Sequence, residues 1–202
     1  MTTRPPVHYR TADLTVRKLC VGPLENNTYL LECRRSGDTL VVDAADEAER
    51  ILSAIGRNRL VAIATTHGHW DHVQAAADVA SATGAPLLLS PADAAMVDHP
   101  SEPLAEGPIE VGAATVQAIA TPGHTPGSMC LVVDGAVFSG DTLFPGGPGA
   151  TAGPSEFDQI MESLQTRLFT MADDTLVFPG HGLDTTIGTE RPHLAAWRRR
   201  GW

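Results

Sequence analysis

The stretch THGHWDH, Thr66 to His72, places three histidines and an aspartate within six consecutive residues. Imidazole and carboxylate are metal ligands. His67 and His69 stand two apart, so on an extended segment both rings can face one side and share an ion. Asp71 and His72 follow within one turn. Four such groups crowd a single tetrahedral ion, so two neighbouring cations are the natural arrangement if the chain supplies further ligands. It offers three at the ends of later apolar runs: His124 in TPGHTPGS, Asp141 in FSGDTLF and His181 in FPGHG. Glycine precedes each of them, which permits close approach to a shared centre. Singly, each residue reads more simply as a surface histidine or a turn aspartate. The coincidence argues otherwise: five of eight histidines follow apolar runs, three of them in one hexapeptide. His8, His99 and His193 lack that context and read as surface residues, and Trp70 as a packing or pocket-wall residue.

Two adjacent divalent cations lower the pKa of a shared water from about 16 toward 7, which makes hydroxide available at neutral pH. No GxSxG elbow is present to support a serine nucleophile instead.

These ligands need strands that deliver them to one place. Leu14 to Gly22, Asn27 to Arg34 and Asp38 to Ala45 are β-branched or apolar runs separated by turn residues, as in a strand meander. Glu47 to Ile55 reads as helix, and Leu60 to Thr66 as a strand buried on both faces. The alanine-rich segment from Asp71 to Gly84 reads as one helix with a glycine stop, which puts THGHWDH in a strand-to-helix loop. Ala85 to Ser90 reads as strand, PADAAMV as a short helix and His99 to Pro108 as surface loop. IEVG, ATVQAIAT, SMCLVVDG and AVFSGD repeat the strand-rich texture. A glycine-proline loop, a helix from about Ser155 to Met171 and the strand of TLVFPGHG follow. Each half is a group of strands followed by helix, with no linker between them, so residues 1–202 read as one domain of two layered sheets with helices outside.

HxHxDH followed by TPGHTPGS, SGDTLF and PGHG resembles the metallo-β-lactamase superfamily, nearest to the short glyoxalase II-like (hydroxyacylglutathione hydrolase-like) hydrolases. VGPLENNTYLL and TTIGTER extend the likeness over nearly the whole chain. The resemblance implies an α/β fold: an αβ/βα four-layer sandwich of two mixed sheets with helices on the outer faces. It also implies that His67, His69 and His124 hold one metal, that Asp71, His72 and His181 hold the other, and that Asp141 bridges them. A carboxylate has two oxygens and can span two cations, whereas imidazole cannot. The expected cofactors are two divalent ions, zinc foremost, with iron or manganese compatible with the same ligands. The expected substrate is a small acyl-thiol conjugate, attacked at its thioester carbonyl by a metal-bridged hydroxide that Asp71 orients.

The helical domain that grips glutathione in longer relatives is not expected here. Arg191 and the run Arg198 to Arg200 could replace it, but read more simply as a solvated helix face. The loop from Phe144 to Glu156 follows Asp141 and is expected to border the site. A mononuclear-iron persulfide dioxygenase-like oxidoreductase is the alternative reading.

A formal charge of −10 argues against nucleic-acid and anionic-lipid partners, whose recognition needs clustered Lys and Arg. Cys20, Cys33 and Cys130 are widely spaced and form no CxxC pair, which fits a reducing compartment. The start MTTRPPVHYRTAD lacks a leader-type apolar run, so a cytoplasmic location is expected.

Overall fold

Along Leu40-Val41-Val42 and Ala62-Ile63-Ala64, successive side chains enter different cores. The outer pair of each triplet joins a cluster with Val16, Tyr29 and Leu31, whereas Val41 and Ile63 join Leu30, Ile51 and Val79. Ala136-Val137-Phe138 divides in the same way, with Val137 packed beside Ile160, Leu164 and Trp197. This is the period of two that strands buried on both faces must show. Two sheets therefore share a central core, and each carries a second core on its outer face.

The computed structural model describes residues 4–202, so the first three residues of MTTRPPVHYRTAD lie outside it. The first sheet runs in spatial order β1 (Val7–Arg10), β2 (Leu14–Val21), β3 (Asn26–Cys33), β4 (Thr39–Val42), β5 (Leu60–Ala64), β6 (Leu87–Leu89) and β7 (Glu102–Pro103). Its first four strands are antiparallel neighbours and the rest pair in parallel. The second sheet holds β8 (Gly107–Val111), β9 (Ala114–Ala120), β10 (Met129–Val133) and β11 (Ala136–Gly140), an antiparallel run. A ribbon of β12 (Leu143–Phe144) and β13 (Gly147–Pro148) follows; β14 (Leu176–Pro179) then joins β11 in parallel, and β15 (Thr185–Thr186) closes the edge. Helices α1 (Ala48–Ile55), α2 (Trp70–Val73) and α3 (Ala76–Thr83) cover the first sheet, and α4 (Pro154–Ser163), α5 (Ile187–Glu190) and α6 (Leu194–Arg200) the second. This is the αβ/βα sandwich of two mixed sheets expected from sequence.

Three elements differ from the expectation. The helix after THGHWDH is broken at Gln74–Ala75, because the Ala75 N–H donates to the Ala44 carbonyl at 3.0 Å instead of staying within a helix. The helix expected to reach Met171 ends its regular turns at Ser163 and continues as a π-helical turn, Leu164–Leu168. The His99 to Pro108 connection carries β7 and the start of β8. Among the described residues, no helix is long and apolar enough to cross a membrane.

The pairing directions set the position of the site. β4 and β5 run in parallel, as do β11 and β14, so each pair releases its loops at one edge of the sandwich. A bridge between Asn26 and His181, with the Asn27 N–H donating to the Gly180 carbonyl at 2.7 Å, ties the two sheets together there.

Candidate metal centre

All seven sequence-predicted ligand residues meet at this edge. His67 Nε2 lies 3.0 Å from His69 Nδ1, which lies 2.9 Å from His124 Nε2. Alongside, His72 Nε2 is 3.2 Å from His181 Nε2, and Asp71 Oδ2 is 3.3 Å from the same atom. Asp141 stands between the two groups: Oδ1 is 3.4 Å from His72 Nε2, and Oδ2 is 3.7 Å from Nε2 of both His124 and His181. Ligand atoms of His67, His69 and His124, of Asp71, His72 and His181, and of His67, His72 and Asp141 each lie within 4.8 Å of one another.

The outer hydrogen bonds fix which ring nitrogens face inward as lone pairs. His124 Nδ1 donates to the Ala150 carbonyl at 2.6 Å, and His181 Nδ1 to the Leu24 carbonyl at 3.0 Å. His72 Nδ1 donates to Asp43 Oδ2 at 2.9 Å. The Thr66 hydroxyl gives its one proton to Asp43 Oδ2 at 2.8 Å, so it accepts from His67 Nδ1 at 3.1 Å. The Nε2 atoms of these four histidines are therefore acceptors by inference from the network. Acceptors packed this closely repel unless a cation lies among them. Asp141 Oδ1 adds to the case, being buried without a hydrogen-bond partner. Donor type, orientation and this unpaired oxygen all suit divalent metal ions.

Glycine makes the approach possible. A Cβ on Gly180 would stand 2.3 Å from Asp141 Oδ1 and 2.6 Å from His72 Cε1. Gly140, at φ 47°, leaves the same lack of room against Thr66.

Without a cation the cluster titrates unusually. Burial lowers His67 far below the ordinary imidazole value, and the facing His72 and His124 add to the effect. Burial and His124 lower His69 as well. For His72 burial is overcome by Asp43 on one side and Asp141 on the other, which raise it to about 10. Burial acts to raise Asp141, yet His72, with His124 and His181, holds it below the usual carboxylate range. A proton on His72 thus occupies the position a metal would take. The stability it contributes is full below about pH 6.5 and is lost as pH rises toward about 10, whereas the depressed histidines cost stability as pH falls below about 6.5. Metal-stripped protein is therefore expected to show its highest thermal midpoint near pH 6 to 7, a maximum that bound metal should flatten; differential scanning fluorimetry across pH checks this.

Sequence reasoning missed two aspartates behind the candidate ligands. Asp43, at the end of β4 and 2% exposed, accepts the Thr66 N–H at 2.7 Å besides the bonds from Thr66 and His72. Asp93 is fully buried and accepts from the Gly68 N–H at 2.9 Å, the Thr125 hydroxyl at 2.6 Å and the Gly127 N–H at 2.7 Å. It therefore clamps the His67–His69 loop to the His124 loop. Asp93→Asn keeps the volume but must turn an amide N–H₂ toward donors, so a loss of about 1–3 kcal/mol in urea unfolding is expected, with weaker metal retention. Asn26 was also passed over: its Nδ2 donates to Asp71 Oδ2 at 3.0 Å.

The Phe144 to Glu156 loop borders the centre as expected, through the Ala150 carbonyl on His124. Arg191 donates to Asp173 and Arg198 to Gln165, both away from the ligands, whereas Arg200 lines a cavity of about 250 Å³ with Pro148, Ala150 and Trp202. Of the histidines read as surface residues, His8 pairs with Asp184 at 2.8 Å and His99 is half-buried. Trp70 is 60% exposed, so it does not pack; it stands in the open between His69 and Asp71.

The chain is similar to the hydroxyacylglutathione hydrolase of Polaromonas sp., 32% identical over 91% of this chain and 74% of that protein. Among solved structures, TTHA1623 in a di-iron-bound form is 33% identical, with a TM-score of 0.75 over 86% of this chain and 96% of the other. ETHE1 from Myxococcus xanthus is 28% identical, with a TM-score of 0.81 over 92% and 86% of the two chains. Residues 21–181, which contain every ligand candidate, match the model of the metallo-beta-lactamase superfamily, and to that superfamily the chain belongs.

Proposed function

We propose that the protein is a binuclear metal-dependent hydrolase of thioesters, cleaving small acyl-thiol conjugates. The observation that carries this reading is the pairing of two three-residue ligand groups across one unsatisfied carboxylate. His67, His69 and His124 would hold one ion, Asp71, His72 and His181 the other, and Asp141 would bridge them. Zinc is the expected metal; the di-iron form of TTHA1623 supports iron as a second candidate. Bound metals would supply an activated water and polarise the substrate carbonyl.

The chain's own residues do the rest. Asp43 and the carbonyls of Ala150 and Leu24 hold the imidazoles in their ligating tautomer. Asn26 donates to Asp71, whose carboxylate would orient the attacking water. In the reaction the water oxygen bonds to the acyl carbon, the carbon–sulfur bond breaks, and the proton passes to the departing thiolate. The name of the Polaromonas relative supports the substrate class.

The test is a panel of acyl thioesters offered to metal-loaded protein, with free thiol measured by a disulfide dye. Turnover that vanishes on chelation and returns with metal is expected. Persulfide-dependent oxygen uptake by protein holding one iron per chain, with no thiol released from any thioester, would overturn the reading in favour of the oxidoreductase.

A further inference from the structure

Six large apolar side chains are exposed on the described surface, and five belong to segments that build the metal centre. Trp70 lies between His69 and Asp71. Leu24 provides the carbonyl that receives His181 Nδ1. Leu183, 81% exposed, follows His181 by two residues. Met96 packs its Cβ against Gly68, between His67 and His69. Trp202 donates its indole N–H to the Thr151 carbonyl, next to the residue that holds His124. A scattered exposed leucine means little, but concentration around one centre marks a binding surface.

On the His181 side the rim brings three apolar residues together. The Asn26–His181 bridge lays the Leu24 and Leu183 segments side by side, and the Phe144 ring centroid is 6.3 Å from that of His181. Lys18, the cation that reaches this loop, is occupied by Asp184 Oδ1 at 2.8 Å and the Gly182 carbonyl at 2.9 Å. A ligand group resting between the Leu24 and Leu183 segments meets carbon and an ammonium already engaged by Asp184 and the Gly182 carbonyl.

We propose that Leu24, Trp70, Phe144 and Leu183 bind the acyl part of the substrate, and that the preferred substrates are thioesters with extended hydrocarbon acyl chains rather than short hydroxyacyl ones. This rests on the thioester reading above and specifies which acyl groups it applies to. Burying a methylene fully is worth about 0.8 kcal/mol, or roughly fourfold, and a half-open rim about twofold.

The experiment uses metal-loaded full-length protein and N-acetylcysteamine thioesters of acetyl, lactoyl, butanoyl, hexanoyl and octanoyl groups. kcat/KM is expected to rise on the order of 20- to 200-fold from acetyl to hexanoyl, mainly through KM, with lactoyl no better than acetyl. Leu183→Ser and Trp70→Ser, both at exposed positions that leave the core intact, should each cut the hexanoyl-to-acetyl ratio at least fivefold. A second readout is independent of turnover: the S-hexyl thioether of N-acetylcysteamine should shift tryptophan fluorescence at far lower concentration than the S-methyl thioether, and Trp70→Phe should remove most of the signal.

If no thioester is cleaved while the hexyl thioether still binds, the hydrolase reading fails and the apolar site stands. If thioesters are cleaved with no dependence on chain length, or if the ratio is unmoved in both variants, the proposal is overturned. It is equally overturned if Leu183→Ser leaves selectivity intact and instead converts a dimer to a monomer in sedimentation, since the rim would then be a contact between copies.

Discussion

Asp141→Asn is expected to lower kcat/KM for thioester hydrolysis by about 1000-fold, close to 4 kcal/mol of transition-state stabilisation, while leaving the fold intact. The substitution keeps shape and volume but removes the charge and one of the two oxygens proposed to ligate, so only one ion would be held well. Asp141 Oδ1 accepts from no backbone group; its close polar neighbour is His72 Nε2 at 3.4 Å, and an asparagine oxygen can face the same ring. Far-UV circular dichroism should match wild type, and metal content should fall from two ions per chain to one or fewer. Activity within tenfold of wild type, with two ions retained, would show that Asp141 does not bridge.

The second large effect is expected at Asp43. Asp43→Ala removes the acceptor for the Thr66 N–H, the Thr66 hydroxyl and His72 Nδ1 at once, in a position 2% exposed. It also places alanine at φ 54°, where L-residues other than Asn and Asp are disfavoured. The expected cost is about 3–5 kcal/mol in urea unfolding, because buried donors are left without partners. Metal affinity should weaken by roughly 10- to 100-fold as His72 loses its orienting partner. Asp43→Asn, which tolerates the left-handed backbone, should recover much of the stability but less of the affinity. Equal recovery of both would mean that Asp43 only supports the loop.

The contrast between Asp141 and Asp43 shows what a sequence displays and what it hides. The candidate ligands stood out because few residue types bind divalent ions, and here they crowd one hexapeptide or stand behind glycine at strand ends. Asp43 occupies a strand end too, in DTLVVDAA, but a single aspartate before a helix resembles any turn residue. Asp93 was less visible still. Its partners lie 25 to 34 residues away along the chain, and in PADAAMV it looks like an acid in a first helical turn. Such contacts exist only once the chain is folded.

The fold was legible for a related reason, since alternation inside short apolar runs specifies doubly covered strands whatever their order. Where a tertiary hydrogen bond competed with local propensity, as at Ala75 and Ala44, the sequence reading joined two helices that the structure separates. Trp70 left two readings open in the sequence, packing residue or pocket wall, and its 60% exposure removes the first and leaves the second.

Side chains from separate loops are expected to hold two cations together. Purified chain should be stripped with chelator, equilibrated with excess zinc, passed through metal-free buffer and assayed for zinc by plasma mass spectrometry against protein concentration. Two tightly retained ions per folded chain are expected. A folded chain that retains none, or one ion in wild type and in Asp141→Asn alike, would contradict the account.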